Sequence, residues 1–309
     1  MRNHGGPAVA LVGATAAGKS ALAHEFALAS GGDVQIVSVD SMTVYRGMDI
    51  GTAKATATQR REVEYHLLDL IDPADEFTVA EFQQEARDAT SLVWALGGSV
   101  LYVGGTGLYG RAVLDALDIP GLYPGVRAEL EARDDDVSVL YDELRESDPV
   151  AASKMEPTNR RRIVRALEVT IGAGRPFSSF GAGLRHYGPA RVHQVGLNCE
   201  FDVLDVRIRR RFEAWMEQGL LEEVARLKEQ GMSRTARQAV GYRELLRHLE
   251  EGVDLDKCVE DAITQSRRLA RRQRSWFQRD PRVQWFDEPA AAAKRLEEIL
   301  SSPDGFVRD

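Results

Sequence analysis

The chain has 309 residues, 43% of them hydrophobic and 28% charged, with 27 glycines and 11 prolines, a mixture that fits a globular protein with a sizeable core and excludes collagen-like or low-complexity chains. Net charge is −8, from 40 basic and 48 acidic side chains, so the mean alone gives a polyanionic partner no advantage. No apolar run approaches the ~18 residues of a membrane span, residues 1–7 lack a secretory apolar stretch, and Cys199 and Cys258 have no CxxC spacing, so a cytoplasmic monomer without membrane contact, a disulfide framework or a cysteine zinc site is expected.

In chain order, residues 8–12 form a short apolar run ending at a glycine loop, and residues 19–28 read as a helix, giving strand, loop, helix. Residues 34–39, rich in β-branched side chains, predict a strand that stops at Asp40, and residues 67–71 predict another. Over residues 77–95 apolar side chains recur at helical spacing, and Thr78 with Glu81 makes the T-x-x-E box of a helix start. Residues 100–103 predict a buried strand closed by Gly104 and Gly105. Strands alternating with helices over the first ~115 residues favour a parallel α/β sheet.

From about Asp118 the texture changes, with Pro120, Gly121, Pro124 and Gly125 followed by acid-rich and arginine-rich helical patterns to about Ile171 and a glycine- and serine-bearing loop over 172–188. Residues 192–197 predict a strand re-entering the sheet. Helices are predicted over 203–218, 220–230 and 256–279, then a short strand at 283–286 and a helical tail. The expected architecture is an α/β core over residues 1–117 and 190–309, interrupted by a mainly helical insertion over 118–189.

Charge is unevenly placed along this layout. Residues 129–148 carry nine acids against Arg133 and Arg145, without the D-x-D-x-D spacing of a metal loop, so they read as a solvated helix face. Residues 264–282 carry seven arginines and one acid, Asp280. Arg267, Arg271 and Arg274 make one helical stripe, and Arg268 with Arg272 an adjacent one. Such a run is either a solvated face or, because like charges repel without counter-acids, a surface for an anionic polymer such as RNA. A second cluster comprises Arg160, Arg161, Arg162 and Arg165. The six histidines contain no H-x-x-x-H pair and read as structural or exposed; Trp215, Met216 and Trp285 read as core.

Gly13-Ala14-Thr15-Ala16-Ala17-Gly18-Lys19-Ser20 matches G-x-x-x-x-G-K-[ST] between an apolar strand and a helix. Glycines let the backbone wrap an anion, its N–H groups point inward, and the helix start adds partial positive charge. Lys19 is suited to terminal phosphate oxygens and the Ser20 hydroxyl to Mg²⁺. The strand ending at residue 103 supplies no acid, whereas the strand over 34–39 ends in Asp40. Strand ends on the loop side of a parallel sheet form the ligand crevice, so Asp40 belongs there as a metal organiser or a general base. Beside Mg²⁺ and Lys19 it is expected to stay ionised.

The phosphate loop together with residues 38–54 (SVDSMTVYRGMDIGTAK), 66–69, 103–109 (VGGTGLY), 165–169, 238–244 (QAVGYRE) and 268–273 (RLARRQ) closely resembles the tRNA dimethylallyltransferase family, over nearly the whole chain. The resemblance implies a P-loop NTPase-like parallel core and a helical insertion that grips the anticodon stem. It implies transfer of a dimethylallyl group from dimethylallyl diphosphate to N6 of the adenine on the 3′ side of the anticodon, with Mg²⁺, dimethylallyl diphosphate and tRNA as partners. Carried over by motif, Asp40 is the base, and Thr15, Arg207 and Arg211 join the loop around the diphosphate. Asp40, Ser41, Met42, Thr43 and Thr106 would lie at the target nucleotide. Arg161, Arg162, Arg165, Gln238, Gly241, Tyr242, Arg243, Arg271, Arg272, Gln273 and Arg274 would hold the RNA. Two positions depart from the pattern: Ala14 replaces a frequent proline, and Thr43 a frequent glutamine. A free-adenylate prenyltransferase, a small-molecule kinase and a non-catalytic RNA-binding switch are the rival expectations.

Overall fold

A computed structural model describes residues 6–181, 183–184 and 186–302; the N-terminal stretch 1–5 read above lies outside them. The chain divides into two units, one formed by Met1–Asp115 with Pro189–Asp309 and the other by Ala116–Gly188.

In the first unit the apolar runs become strands β1 (Ala8–Val12), β2 (Val34–Val39), β3 (Tyr65–His66), β4 (Ser99–Gly104), β5 (His193–Leu197) and β6 (Val283–Phe286). They form one sheet in the order β3-β2-β4-β1-β5-β6, every neighbouring pair parallel. Parallel strands need crossovers, and the helices that supply them cover both faces. Those helices are α1 (Lys19–Ala29), α2 (Ala57–Glu62), α3 (Val79–Ala95) and α4 (Gly107–Leu114). The second unit holds α5 (Pro124–Ala132), α6 (Val137–Ser147), α7 (Pro149–Ala152) and α8 (Arg160–Ala173). Back in the first unit come α9 (Phe201–Glu217), α10 (Leu220–Gln230), α11 (Tyr242–Glu251), α12 (Leu255–Phe277) and α13 (Pro289–Leu300).

Because strand side chains alternate between faces, the near-continuous apolar runs feed two cores. Val9, Leu11, Ile36, Leu101, Val103 and Val195 pack with α1 and α13. Ala8, Ala10, Val37, Val39, Val100 and Tyr102 pack with α3 and with apolar faces of α9 to α12. Trp215, Met216 and Trp285, read as core, are half-buried at the margin of this second cluster. The other unit closes its own core with Leu130, Leu140, Leu144, Ile163 and Leu167.

The strand expected over 67–71 is the main departure. The paired strand lies at residues 65–66, and Leu67 and Asp69 turn at φ +64° and +56°. Bonds to distant residues override the local apolar pattern here. The Asp69 carboxylate receives Lys54 at 2.7 Å and Arg60 at 2.6 Å, and Ile71 N–H donates to Val44 O at 3.1 Å. Thr78 and Glu81 do close a capping box at the start of α3.

Candidate active site

Between β1 and α1 the chain wraps into a loop that only certain residues permit. Gly13 sits at φ +148°, and a Cβ there would lie 2.6 Å from the Leu197 carbonyl oxygen, so a side chain would break the contact of this loop with β5. Ala16 is left-handed at φ +62°, a cost that points to a shaped backbone. Gly18 caps α1 with no side-chain hydrogen bond, so the first N–H groups of the helix lack a side-chain acceptor and favour an anion.

Three cations converge on this loop. Lys19 is buried and its Nζ donates to Ala14 O at 2.6 Å. From α9, Arg207 donates to Ala16 O and Ala17 O, each at 3.3 Å, and Arg211 donates to Thr15 Oγ1 at 3.2 Å. Burial, and then the Arg211 charge, lower the Lys19 pKa to about 8 against the pull of Asp40. Burial and Arg207 likewise push Arg211 down. Among the described residues none of the three forms an ion pair with a carboxylate.

Facing them is a cavity of about 330 Å³ lined by Thr15, Lys19, Ser20, Asp40, Arg211 and Gln273, among others. Asp40 is its one lining carboxylate among the described residues. It leaves the end of β2, and its Oδ1 accepts from Met42 N–H at 2.8 Å. Burial raises the Asp40 pKa, and this outweighs the opposing hydrogen bond from Met42 and the Lys19 charge. A carboxylate held above its usual range is a stronger base once ionised. The lining also includes Ala23, Ile36, Tyr65 and Leu68, together with Thr52, Lys54 and Gln59. Lys54, buried, donates to Tyr45 O, Asp49 and Asp69, each at 2.7 Å.

Several residues expected at the RNA serve the first unit's interior instead. Gln273 on α12 accepts from Thr15 N–H at 2.7 Å and approaches Gly105 so closely that a Cβ there would lie 2.7 Å from its amide nitrogen; it belongs to the phosphate loop. Tyr242 is fully buried and its hydroxyl donates to Glu223 at 2.5 Å, so it cannot touch RNA. Glu223 also accepts from Asp49 N–H at 3.1 Å and Ile50 N–H at 2.9 Å. Gly241 is buried and donates its N–H to Glu244 at 2.8 Å. Thr106 starts α4 and faces an apolar cleft with Val12, Val39 and Phe277. Thr43 is buried, lines the cavity and meets the Ser38 hydroxyl at 3.2 Å, while Ser41 and Met42 are half-buried beside it.

On the outer surface of the first unit, Gln238 and Arg272 are exposed, and Arg243 lies beside Glu244 at 2.9 Å. The stripe on α12 is not free of counter-acids, as its local sequence suggests. Asp205 on α9 lies 3.5 Å from Arg267 and 3.6 Å from Arg271. Arg274 donates to Cys199 O at 3.4 Å and covers the Phe201 ring at 4.6 Å. In the second unit Arg161 and Arg162 are exposed. Arg165 is spent internally, on Glu168 at 2.7 Å and the carbonyls of Pro120 and Gly121 at 2.8 and 3.1 Å. No group of three or more His, Cys, Asp or Glu among the described residues is placed to hold a metal, and no described helix is long and apolar enough to cross a membrane.

A parallel α/β sheet whose first strand opens into an anion-binding loop, with half-buried Asp40 at the end of β2 on the far side of β4, defines a P-loop-type enzyme fold. The family model described as IPP transferase matches residues 43–280, more than half of the chain. A tRNA dimethylallyltransferase of Nocardioides sp. is 42% identical over 305 residues, 97% of each chain. One of Salinispora arenicola is 46% identical over 287 residues, 91% of this chain and 82% of that one. A solved full-length tRNA isopentenylpyrophosphate transferase from Bacillus halodurans superposes with a TM-score of 0.68 at 36% identity, covering 95% of both chains. A eukaryotic dimethylallyltransferase acting on tRNA shares the fold with a TM-score of 0.76 at 24% identity, over 96% of this chain and 77% of that one. The chain belongs to the IPP transferase family.

Proposed function

We propose that this chain transfers a dimethylallyl group from dimethylallyl diphosphate to N6 of the adenine on the 3′ side of the anticodon in tRNA, releasing diphosphate. The observation that carries the reading is the convergence of Lys19, Arg207 and Arg211, ion-paired to no carboxylate among the described residues, on a helix start that shares one cavity with Asp40. Cations aimed at a leaving group stabilise charge that grows only as its bond breaks. The C1–O bond breaks with its electron pair moving to the diphosphate, the N6 lone pair forms the new bond to C1, and the N6 proton passes to the Asp40 carboxylate. Gln273, bonded to the Thr15 amide, holds the loop in shape for the diphosphate.

Mg²⁺, when bound, neutralises charge on the departing diphosphate. The residues fit an ion brought in with its substrate: the exposed Ser20 hydroxyl opens α1 within the cavity, with Asp40 the one lining carboxylate. That is too few ligands for an all-protein cage and suits an ion completed by diphosphate oxygens and water.

An adenine inside a stacked loop is out of reach, so the nucleotide must splay into the cavity while cations hold the backbone. Exposed Arg272 and Arg271 with half-buried Arg243 on the first unit, and exposed Arg161 and Arg162 on the second, serve that purpose, and the exposed Gln238 amide can add a neutral hydrogen bond. A free mononucleotide acceptor is the rival these arginines argue against, and tRNA as substrate places the reaction in the cytoplasm. The test incubates the chain, Mg²⁺ and labelled dimethylallyl diphosphate with bulk tRNA and separately with AMP. Label in RNA alone supports the reading; label in AMP, or protection from unfolding by ATP but not by the prenyl diphosphate, overturns it.

A further inference from the structure

Resting on the reading of the cavity as a prenyl diphosphate site, we propose that Tyr65 sets the chain length of the donor. Its ring walls the cavity beside Ala23, Ile36 and Leu68, and His24 and Glu62 hold that ring in place.

The cavity lining combines the polar groups of the phosphate loop with apolar Ala23, Ile36 and Leu68 beside Tyr65, and Lys54 and Gln59 line it as well. Lys19 and Ser20 stand at the anion end of α1, and Ala23, one turn further on, lines the same cavity. Ile36 and Leu68 add apolar wall at that depth, and Tyr65 pairs in register with Ile36 across β2 and β3. A diphosphate fixed by the loop amides directs its alkyl tail toward these side chains, because apolar surface gains most there. Ala23 lies about one helical turn, ~5.4 Å, beyond the anion end of α1, a span comparable with a dimethylallyl chain, and a second isoprene unit would have to pass the residues at that depth, Tyr65 among them.

The ring is not free to swing aside. The Tyr65 hydroxyl lies 2.9 Å from His24 Nδ1, and His24 Nε2 lies 3.1 Å from the Glu62 carboxylate. With Nε2–H donating to Glu62, Nδ1 is the acceptor, so the phenol donates to His24. The two rings are stacked 6.2 Å apart at 15°. The hydroxyl is thereby consumed by His24, which does not line the cavity, and the ring serves as wall. Tyr65 meets the tail rather than the reacting atoms; His24 and Glu62 act through it as positioning residues.

The experiment measures kcat/KM on tRNA with dimethylallyl diphosphate and with geranyl diphosphate for the wild-type chain, Tyr65→Ala, Tyr65→Phe and His24→Ala. The readout is the ratio of the two donors within one preparation, which does not depend on the fraction folded. Tyr65→Ala is expected to shift that ratio toward the geranyl donor by about tenfold or more, the scale on which a pocket senses added carbons. His24→Ala is expected to give a smaller shift in the same direction, and Tyr65→Phe a smaller one again. An unchanged ratio in both Tyr65→Ala and His24→Ala overturns the proposal, as does an equal shift in Tyr65→Phe and Tyr65→Ala. Should the wild-type chain transfer neither donor, the functional reading falls; calorimetric binding of the two diphosphates to the same variants then decides the length gate alone.

Discussion

Arg111 and Arg282 meet Asp115 and Asp280 in a buried cluster, whereas Lys19, Arg207 and Arg211 in the same unit meet backbone carbonyls and a hydroxyl. In the first cluster Arg282 lies 2.8 Å from Asp115 and 2.6 Å from Asp280, and Arg111 bonds Asp115 as well. Burial works against ionised Asp280, yet its hydrogen bonds from Arg282 hold the carboxyl below the ordinary range. Two cations are matched by two anions, so this cluster is complete in the protein alone. Around the phosphate loop, burial and mutual repulsion push Lys19 and Arg211 down. Charges arranged at such a cost to themselves are a mark of function rather than of stability.

The contrast turns on Asp40, the one acid among the loop's cations. If it only balanced charge, as Asp280 does, its loss would destabilise the protein. Its burial instead keeps the folded pKa above the unfolded value, so the ionised form costs stability, a cost that appears as pH rises through the folded value. Asp40→Asn is therefore expected to cut kcat by about 10²- to 10⁴-fold while Tm at neutral pH stays level or rises. A fall in Tm with activity retained would make Asp40 a counter-ion.

A pair of matched substitutions separates the two clusters further. Arg211→Met is expected to lower kcat by about 10²- to 10³-fold without lowering Tm, since it removes a self-repelling charge. Arg282→Met leaves buried carboxylates undercompensated and is expected to cost roughly 3–5 kcal/mol of stability, with kcat per folded molecule unchanged. Denaturation curves and active-site titration of both variants check this, and matching profiles for the two would erase the distinction.

Local pattern carried the parts of the site that are local. Gly13 to Ser20 is one contiguous stretch between a strand and a helix, and Asp40 is the last step of a β-branched run, so spacing alone brings both to one edge of the sheet. The Gln273 bond to Thr15 spans 258 residues, and a side chain on an arginine-rich helix gives no sign that it turns inward. Tyr242 stands beside Arg243 in a motif that reads as RNA-facing, yet one helix position separates core from surface and Glu223 decides which is which. Asp205 was invisible as the partner of Arg267 and Arg271 because it lies on another helix. The misplaced strand at 67–71 has the same origin: Lys54 and Arg60 pull Asp69 into a turn that no local propensity encodes.

The smallest expected effect is also the most direct reading of the loop's charge. Lys19 is held at about 8 in the folded chain against 10.5 as its ordinary value. Between these values the unfolded chain binds the proton and the folded chain does not, so Lys19 contributes stability that grows as pH rises from about 8. Anion binding demands the opposite state, the ammonium. Affinity for inorganic diphosphate is therefore expected to decline above about pH 8, by at most about tenfold per pH unit for one proton, with proton uptake on binding seen by calorimetry in buffers of different ionisation enthalpy. Lys19→Arg, whose guanidinium stays charged, should lose that component while keeping any dependence that belongs to the diphosphate itself. Arg211→Met should move it to higher pH, because the Arg211 charge is one of the causes that hold Lys19 down. Identical pH profiles in all three proteins would mean that Lys19 does not touch the anion, and the balanced and unbalanced clusters would then differ in composition alone.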